Sequence, residues 1–281
     1  MFLLADSGST KTHWNLVKDG VSFKEIFTAG INPFYQTQQE IEQEIKQVLL
    51  PQIPEELFNS LTRIFFYGAG CIPEKIPVLQ KALQMFFPIE IEVNNDLLAT
   101  CRALSGREVG IVAILGTGSN SCLFDGAKIV KNVSPLGFIL GDEGSGAVLG
   151  KLLVADILKN QLPDIVKEKF FNRFNLTSAE IMERVYRSPF PNRFLAGLSV
   201  FIKENMQDEP LLYAIVEKSF TTFFERNILQ YGCIDLPIHF SGSIAYYYQD
   251  VLNVVAKKYD FQIGKVETYP MSGLIDFHSS C

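Results

Sequence analysis

The sequence predicts a two-lobed α/β protein in which one lobe pattern occurs twice. An apolar strand, a turn of small residues, a second strand and an Asp-Gly hairpin follow one another from Phe2 and again from Val109. Between the two copies, strands alternate with helices, the pattern of parallel strands joined by crossover helices. At 281 residues, 47% hydrophobic and 20% charged, the chain is long enough for two cores of ordinary domain size. The lobes are expected at 1–105 and 106–281, meeting near Ser105-Gly106-Arg107.

Residues 2–5 read as a strand, and Asp6-Ser7-Gly8-Ser9-Thr10 as a turn whose small residues permit tight curvature. Strand character resumes over 12–17, and Asp19-Gly20 turns the chain into 21–28, so it opens as a three-stranded antiparallel meander. Ile41, Ile45, Val48 and Leu49 have helical spacing over 38–50, with Pro51 expected to end that helix. A strand over 64–67 runs into Gly68-Ala69-Gly70, a helix carries Val78, Leu79, Leu83 and Phe86, and 89–93 is the next strand. Asp96 then falls at a strand-to-helix junction, where it is expected to cap the helix.

The opening pattern returns at 109–115, Gly116-Thr117-Gly118-Ser119-Asn120 and 121–124, with Asp125-Gly126 in the place of Asp19-Gly20. Beyond Gly141-Asp142-Glu143-Gly144-Ser145-Gly146 the pattern is mainly helical, over 147–159, 178–186, 194–205 and 211–231. A strand over 237–240 enters Ser241-Gly242-Ser243, and a helix covers 246–258.

Composition excludes several classes of function. With 25 basic against 31 acidic residues, the net charge of -6 leaves no positive excess to neutralise a nucleic acid or an anionic membrane. Met1-Phe2-Leu3-Leu4-Ala5 runs into Asp6 without a basic region or a longer apolar stretch, so a cytoplasmic protein is expected. Apolar runs such as 194–202 fall far short of the roughly 20 residues that cross a bilayer. The five cysteines, Cys71, Cys101, Cys122, Cys233 and Cys281, form no C-x-x-C pair and read as reduced thiols.

A Gly/Ser/Thr turn between strands exposes backbone N–H groups and short hydroxyls, which is what phosphate oxygens require. One such turn is weak evidence; two in matched positions suggest a polyphosphate clamp, and Asp6 before the first supplies the hard oxygen that Mg²⁺ prefers. A carboxylate such as Asp96, at the carboxyl end of an α/β strand, lies where ligands bind in such sheets and is placed to accept a proton from a hydroxyl. Two acids among three glycines at 141–146 point to a close approach to the backbone there.

These residues resemble the sugar kinase/Hsp70/actin superfamily and, within it, the N-acetylglucosamine kinase and BadF/BadG/BcrA/BcrD-type ATPase family. Asp6-Ser-Gly-Ser-Thr-Lys-Thr12 is similar to its phosphate-1 motif, Leu115-Gly-Thr-Gly-Ser-Asn120 to phosphate 2, Gly141–Ser145 to its GDEGS box, and Phe240-Ser-Gly-Ser-Ile244 to its adenosine motif. The resemblance implies a duplicated ribonuclease H-like (actin/hexokinase-type ATPase) fold. It further implies that Gly8, Ser9, Thr10 and Lys11 with Gly116, Thr117 and Gly118 hold the phosphates of ATP, that Asp6 organises Mg²⁺, and that Gly242 and Ser243 face the adenosine. Asn32, Ser119, Asn120, Gly137 and Asp142 would contact an amino sugar, and Asp96 would activate its 6-hydroxyl. The family's aromatic and histidine before the GDEGS box are replaced by Leu136 and Phe138, and Ser241 stands where glycine is common.

N-acetylglucosamine is the substrate this implies, with glucosamine or N-acetylmuramic acid as alternatives, and a homodimer as an allowed assembly. A BadF-type activator ATPase would need cysteine ligands for a shared iron-sulfur cluster, and the cysteines here are widely spaced. For a sugar-responsive repressor, a start at phosphate 1 leaves no room for an N-terminal helix-turn-helix, and the acidic balance opposes DNA binding.

Overall fold

The computed structural model describes residues 1–8 and 11–280; Ser9, Thr10 and Cys281 lie outside the described residues. The chain divides into two compact units, Met1–Arg107 with Pro270–Cys281, and Glu108–Tyr269. The first boundary falls two residues from the expected one. The C-terminal helix differs from expectation: Met271–Ser279 belongs to the first unit, not the second, because Met271, Leu274 and Ile275 complete an apolar layer there.

In the first unit, β1 (Phe2–Ser7), β2 (Lys11–Lys18), β3 (Val21–Ala29), β4 (Arg63–Gly68) and β5 (Glu90–Asn95) form a sheet of order β3-β2-β1-β4-β5. The first three strands are the expected antiparallel meander, while β4 and β5 add in parallel. Asp19 and Gly20 both have positive φ (51° and 77°), the geometry of the tight hairpin that an Asp-Gly pair favours.

Alternation along β1 decides where its last residues point. Leu3 and Ala5 face a core with Trp14, Leu16, Ile31, Ile41 and Ile64. Leu4 faces the other way, onto Ala99, Ala103 and Leu104 of the helix Asp96–Leu104. Ser7 therefore follows the first set and Asp6 the second.

In the second unit, β6 (Val109–Leu115), β7 (Ser119–Asp125), β8 (Ile129–Val133), β9 (Ile238–Ser241) and β10 (Ile263–Glu267) form a sheet of order β10-β9-β6-β7-β8. Read from its meander edge, this order and its parallel and antiparallel pairings repeat those of the first sheet. The duplication seen in the turns is thus a duplication of topology.

Four helices are more broken than their periodicity predicts; those expected over 211–231 and 246–258 are Pro210–Arg226 with the 3₁₀ turn Ile228–Tyr231, and Ser243–Tyr247 with Gln249–Lys258. The helix expected over 38–50 runs as Gln38–Glu44, a π-helical stretch Ile45–Leu49 and a 3₁₀ turn Leu50–Gln52 that contains Pro51. The helix expected over 194–205 is Pro191–Leu198 followed by Val200–Asn205, with a turn at Ser199, whose hydroxyl donates to Ala196 O at 2.7 Å. Among the described residues, no helix is long and apolar enough to cross a membrane.

Candidate active site

In the first unit, Asp6 is the penultimate residue of β1 and Asp96 opens the helix after β5. Asp96 does not cap that helix as expected: Asn95 does, accepting from Leu98 N at 2.8 Å. The carboxyl of Asp96 is thereby left for other work. Burial pushes its pKa up, and backbone N–H bonds from Leu97 and from Asp96 itself only partly oppose this. Asp6 is pushed up to about 7, first by burial and then by the negative charge of Asp96, against the pull of Lys11.

The two acids therefore share one electrostatic environment in which ionising both is costly. A cation would relieve that cost. Among the described residues, no group of three or more His, Cys, Asp or Glu is placed to hold a metal by itself. A Mg²⁺ at Asp6 would thus draw its remaining ligands from phosphate oxygens and water, as Mg²⁺ beside nucleotides does. The residues present fit that ion.

The β1–β2 turn is closed by Gly8 N donating to Lys11 O at 3.0 Å; Gly8 is exposed, and a Cβ there would touch Lys11 O at 3.8 Å. Ser9 and Thr10, the other phosphate residues expected here, lie outside the described residues. Lys11 is exposed, and its Nζ sits 5.1 Å from the centroid of Phe27. Asn32 is fixed by its neighbours: its N donates to Gln36 Oε1 at 2.6 Å, and its Oδ1 accepts from Phe34 N at 3.0 Å.

In the second unit, Gly116, Thr117 and Gly118 form the tight β6–β7 turn, closed by Gly116 N to Gly118 O at 2.9 Å. Its outer carbonyls are taken up by the helix Gly146–Leu158: Gly146 N donates to Gly116 O at 2.8 Å and Ala147 N to Thr117 O at 3.1 Å. Gly116 has nothing within 4 Å of the position a Cβ would occupy, as an approaching phosphate needs. Asp142 closes over the same turn, its Oδ1 accepting from Ser119 N at 3.3 Å and its Oδ2 lying 3.0 Å from where a Gly118 Cβ would be.

Asp142 adopts a left-handed φ of 53° and is held by its own N donating to Pro135 O at 2.9 Å. The close approach expected among these glycines is real at Gly141, where a Cβ would meet Pro135 O at 2.1 Å. Burial raises the Asp142 pKa, the Ser119 N–H lowers it, and Glu143 raises it. Glu143 was not singled out by sequence reasoning, yet it is buried and anchors the box, pairing with Arg226 Nε at 3.0 Å and accepting from Asn227 Nδ2 at 3.4 Å.

Gly242 follows β9 at φ 110°, where a Cβ would meet Leu115 O at 2.4 Å and Gly116 N at 3.2 Å. The Phe240–Ile244 segment thus packs directly on the β6–β7 turn. Ser243 is exposed as the first residue of the helix Ser243–Tyr247. Asn120 and Gly137 are less clearly drawn in. The Oδ1 of Asn120 accepts from Ser121 N and Asn132 Nδ2, each at 2.9 Å, which commits that atom to the sheet. Gly137 begins the short helix Gly137–Leu140, where Leu136, Ile139 and Leu140 are exposed and Phe138 O accepts from Lys151 Nζ at 2.8 Å.

Solved structures share this architecture. A Porphyromonas gingivalis protein provisionally assigned as an N-acetylglucosamine kinase is 51% identical over 100% of this chain and 99% of its own, with a TM-score of 0.96. A Chromobacterium violaceum protein with the same provisional assignment is 16% identical over 99% of each chain, with a TM-score of 0.75. A ROK family glucokinase from Streptomyces griseus, solved with glucose and AMPPNP, is 12% identical over 98% of this chain and 97% of its own, at a TM-score of 0.56. No protein-family model matches the chain, and no curated protein matches it.

Two sheets of one topology, each with a glycine-bearing turn after its first strand, define the duplicated ribonuclease H-like fold of actin/hexokinase-type ATPases. By its identity to the Porphyromonas gingivalis structure over the full chain, this protein belongs to the N-acetylglucosamine kinase and BadF/BadG/BcrA/BcrD-type ATPase family of the sugar kinase/Hsp70/actin superfamily.

Proposed function

We propose that the protein is an ATP-dependent sugar kinase that transfers the γ-phosphoryl group to the 6-hydroxyl of an amino sugar, N-acetylglucosamine. The observation that carries this reading is the coupled carboxyl pair: Asp6 at the end of β1, raised to about 7, and Asp96 after β5, also raised. A carboxylate whose pKa is raised is a stronger base than an ordinary one and so better suited to take a proton from a hydroxyl. In this reading Asp96 accepts the 6-hydroxyl proton as the oxygen bonds to the γ-phosphorus, and the bond from that phosphorus to the β-γ bridging oxygen breaks to release ADP.

Gly8, Ser9, Thr10 and Lys11 with Gly116, Thr117 and Gly118 receive the phosphates, and Gly242 and Ser243 face the adenosine. Bound Mg²⁺ at Asp6 would neutralise phosphate charge. Asn32, Ser119, Asn120, Gly137 and Asp142 orient the sugar, with Asp142 best supported because it already grips the β7 end of the phosphate-2 turn. An activator ATPase sharing an iron-sulfur cluster would need accessible cysteine ligands, whereas Cys71, Cys101 and Cys122 are buried. Use of ATP and buried cysteines outside any disulfide both suit the cytoplasm.

The test is ADP release, measured by coupled assay with Mg-ATP across a panel of N-acetylglucosamine, glucosamine, N-acetylmuramic acid, N-acetylmannosamine and glucose. The reading expects N-acetylglucosamine to give the largest kcat/KM. A preference for another amino sugar would revise the substrate, and ADP release indifferent to every sugar would contradict the kinase assignment.

A further inference from the structure

Beneath the β1–β2 turn lies a polar cluster that the proposed chemistry does not use. Ser7 and Thr12 are cross-strand partners at the ends of β1 and β2, and both are fully buried on the face that carries Leu3, Ala5 and Trp14. Their hydroxyls meet at 2.7 Å. Ser7 Oγ donates to Ile31 O at 2.9 Å and accepts from Ile31 N at 3.0 Å, so one hydroxyl holds both backbone groups of one residue. Thr12 Oγ1 also lies 3.1 Å from Ile31 N and donates to Ala29 O at 3.1 Å.

Ile31 is itself fully buried, and the next residue is Asn32. From the other side, Gly70 presses on Asn32: a Cβ there would stand 2.0 Å from Asn32 Oδ1. Gly68, paired with Ser7 across β1 and β4, would place a Cβ 3.1 Å from that of Ser7. Two hydroxyls buried in an apolar layer must be satisfied, and here they are satisfied by the backbone of a segment about two dozen residues away.

We propose that Ser7 and Thr12 are positioning residues that lock the backbone of 29–32 to the phosphate-1 turn and so set the place of Asn32 for the sugar. This rests on the sugar kinase reading for its kinetic consequence, though not for the clamp itself. Small misplacement of a substrate contact weakens the productive binding of that substrate steeply.

Ser7→Ala and the near-isosteric Thr12→Val test it, with Thr12→Ser as the conservative variant. In wild type the Ile31 amide should resist hydrogen exchange, and in Ser7→Ala it should exchange at least tenfold faster while amides in β4 keep their wild-type rates. KM for N-acetylglucosamine should rise about tenfold in Ser7→Ala and Thr12→Val with the Kd for AMPPNP within about twofold, and Thr12→Ser should restore it. If Ile31 exchange is unchanged in Ser7→Ala, the clamp is wrong. If it accelerates but the sugar and nucleotide constants weaken equally, the hydroxyls are merely structural and the positioning role is overturned. If wild type phosphorylates no sugar, the kinase reading fails while the exchange result still decides the clamp.

Discussion

Asp6 carries an acid pKa near 7 because burial and Asp96 both oppose its charge. The protonated form is favoured on folding, so its stabilising contribution is complete below the unfolded value of 3.8 and is lost as pH rises to about 7. Asp6→Asn, which keeps the shape and removes the charge, should therefore raise Tm relative to wild type by more at pH 8 than at pH 5, in Mg²⁺-free buffer, while abolishing Mg²⁺-dependent turnover. Thermal melts at the two pH values check this; an equal or smaller gain at pH 8 would remove the charge frustration. The residues bearing this chemistry were legible as Asp after a strand and Asp before a helix. What the sequence hid was which of two adjacent capping residues takes the cap. Asn95 and Asp96 have the same preference, and only the backbone turn at Asn95, which brings its Oδ1 to Leu98 N, decides between them. Ser7, Thr12 and Glu143 were hidden for a different reason: their partners, Ile31 and Arg226, are remote in sequence.

Among the elements, the small-residue turns were the most legible, because a strand, a glycine turn and an Asp-Gly hairpin constrain the backbone locally. Their partners were less so. The helix Gly146–Leu158 donates its first N–H groups to the phosphate-2 turn, and Gly242 after β9 packs on the same turn, neither of which follows from periodicity. The break at Ser199, whose O accepts from the Tyr248 hydroxyl at 2.7 Å, and the helix Met271–Ser279 were also missed, since the partners of both are remote in sequence. Gly242→Ala probes this layer. Its Cβ would collide with Leu115 O, and its φ of 110° suits glycine alone, so the phosphate-2 turn must shift. Titration calorimetry with AMPPNP should show affinity weakened about tenfold or more, roughly 1.4 kcal/mol. Unchanged affinity would mean that the turn does not meet the nucleotide.

At the scale of the molecule, one supersecondary plan has been used twice and each copy has acquired different chemistry. The first unit holds the carboxyl pair and the Ser7-Thr12 hydroxyl cluster; the second holds the Asp142 box and Gly242. In both, the segment implied in sugar contact is hydrogen-bonded to the phosphate turn of its own unit, through Ile31 in one and Ser119 N in the other. The division into two lobes was legible from the repeated turns, whereas the return of the C-terminal helix to the first unit was not, because only the apolar layer it completes specifies it. The central claim is that Asp96 activates a sugar hydroxyl for phosphoryl transfer from ATP. Its most direct test is the yield of sugar phosphate and ADP, by ³¹P NMR, from wild type and Asp96→Asn with Mg-ATP and N-acetylglucosamine, alongside AMPPNP affinity. The account predicts equimolar ADP and 6-phosphorylated sugar from wild type, a rate about 10²–10⁴-fold lower in Asp96→Asn, and unchanged AMPPNP binding. Wild-type turnover in Asp96→Asn, or ADP formed without sugar phosphate, would contradict it.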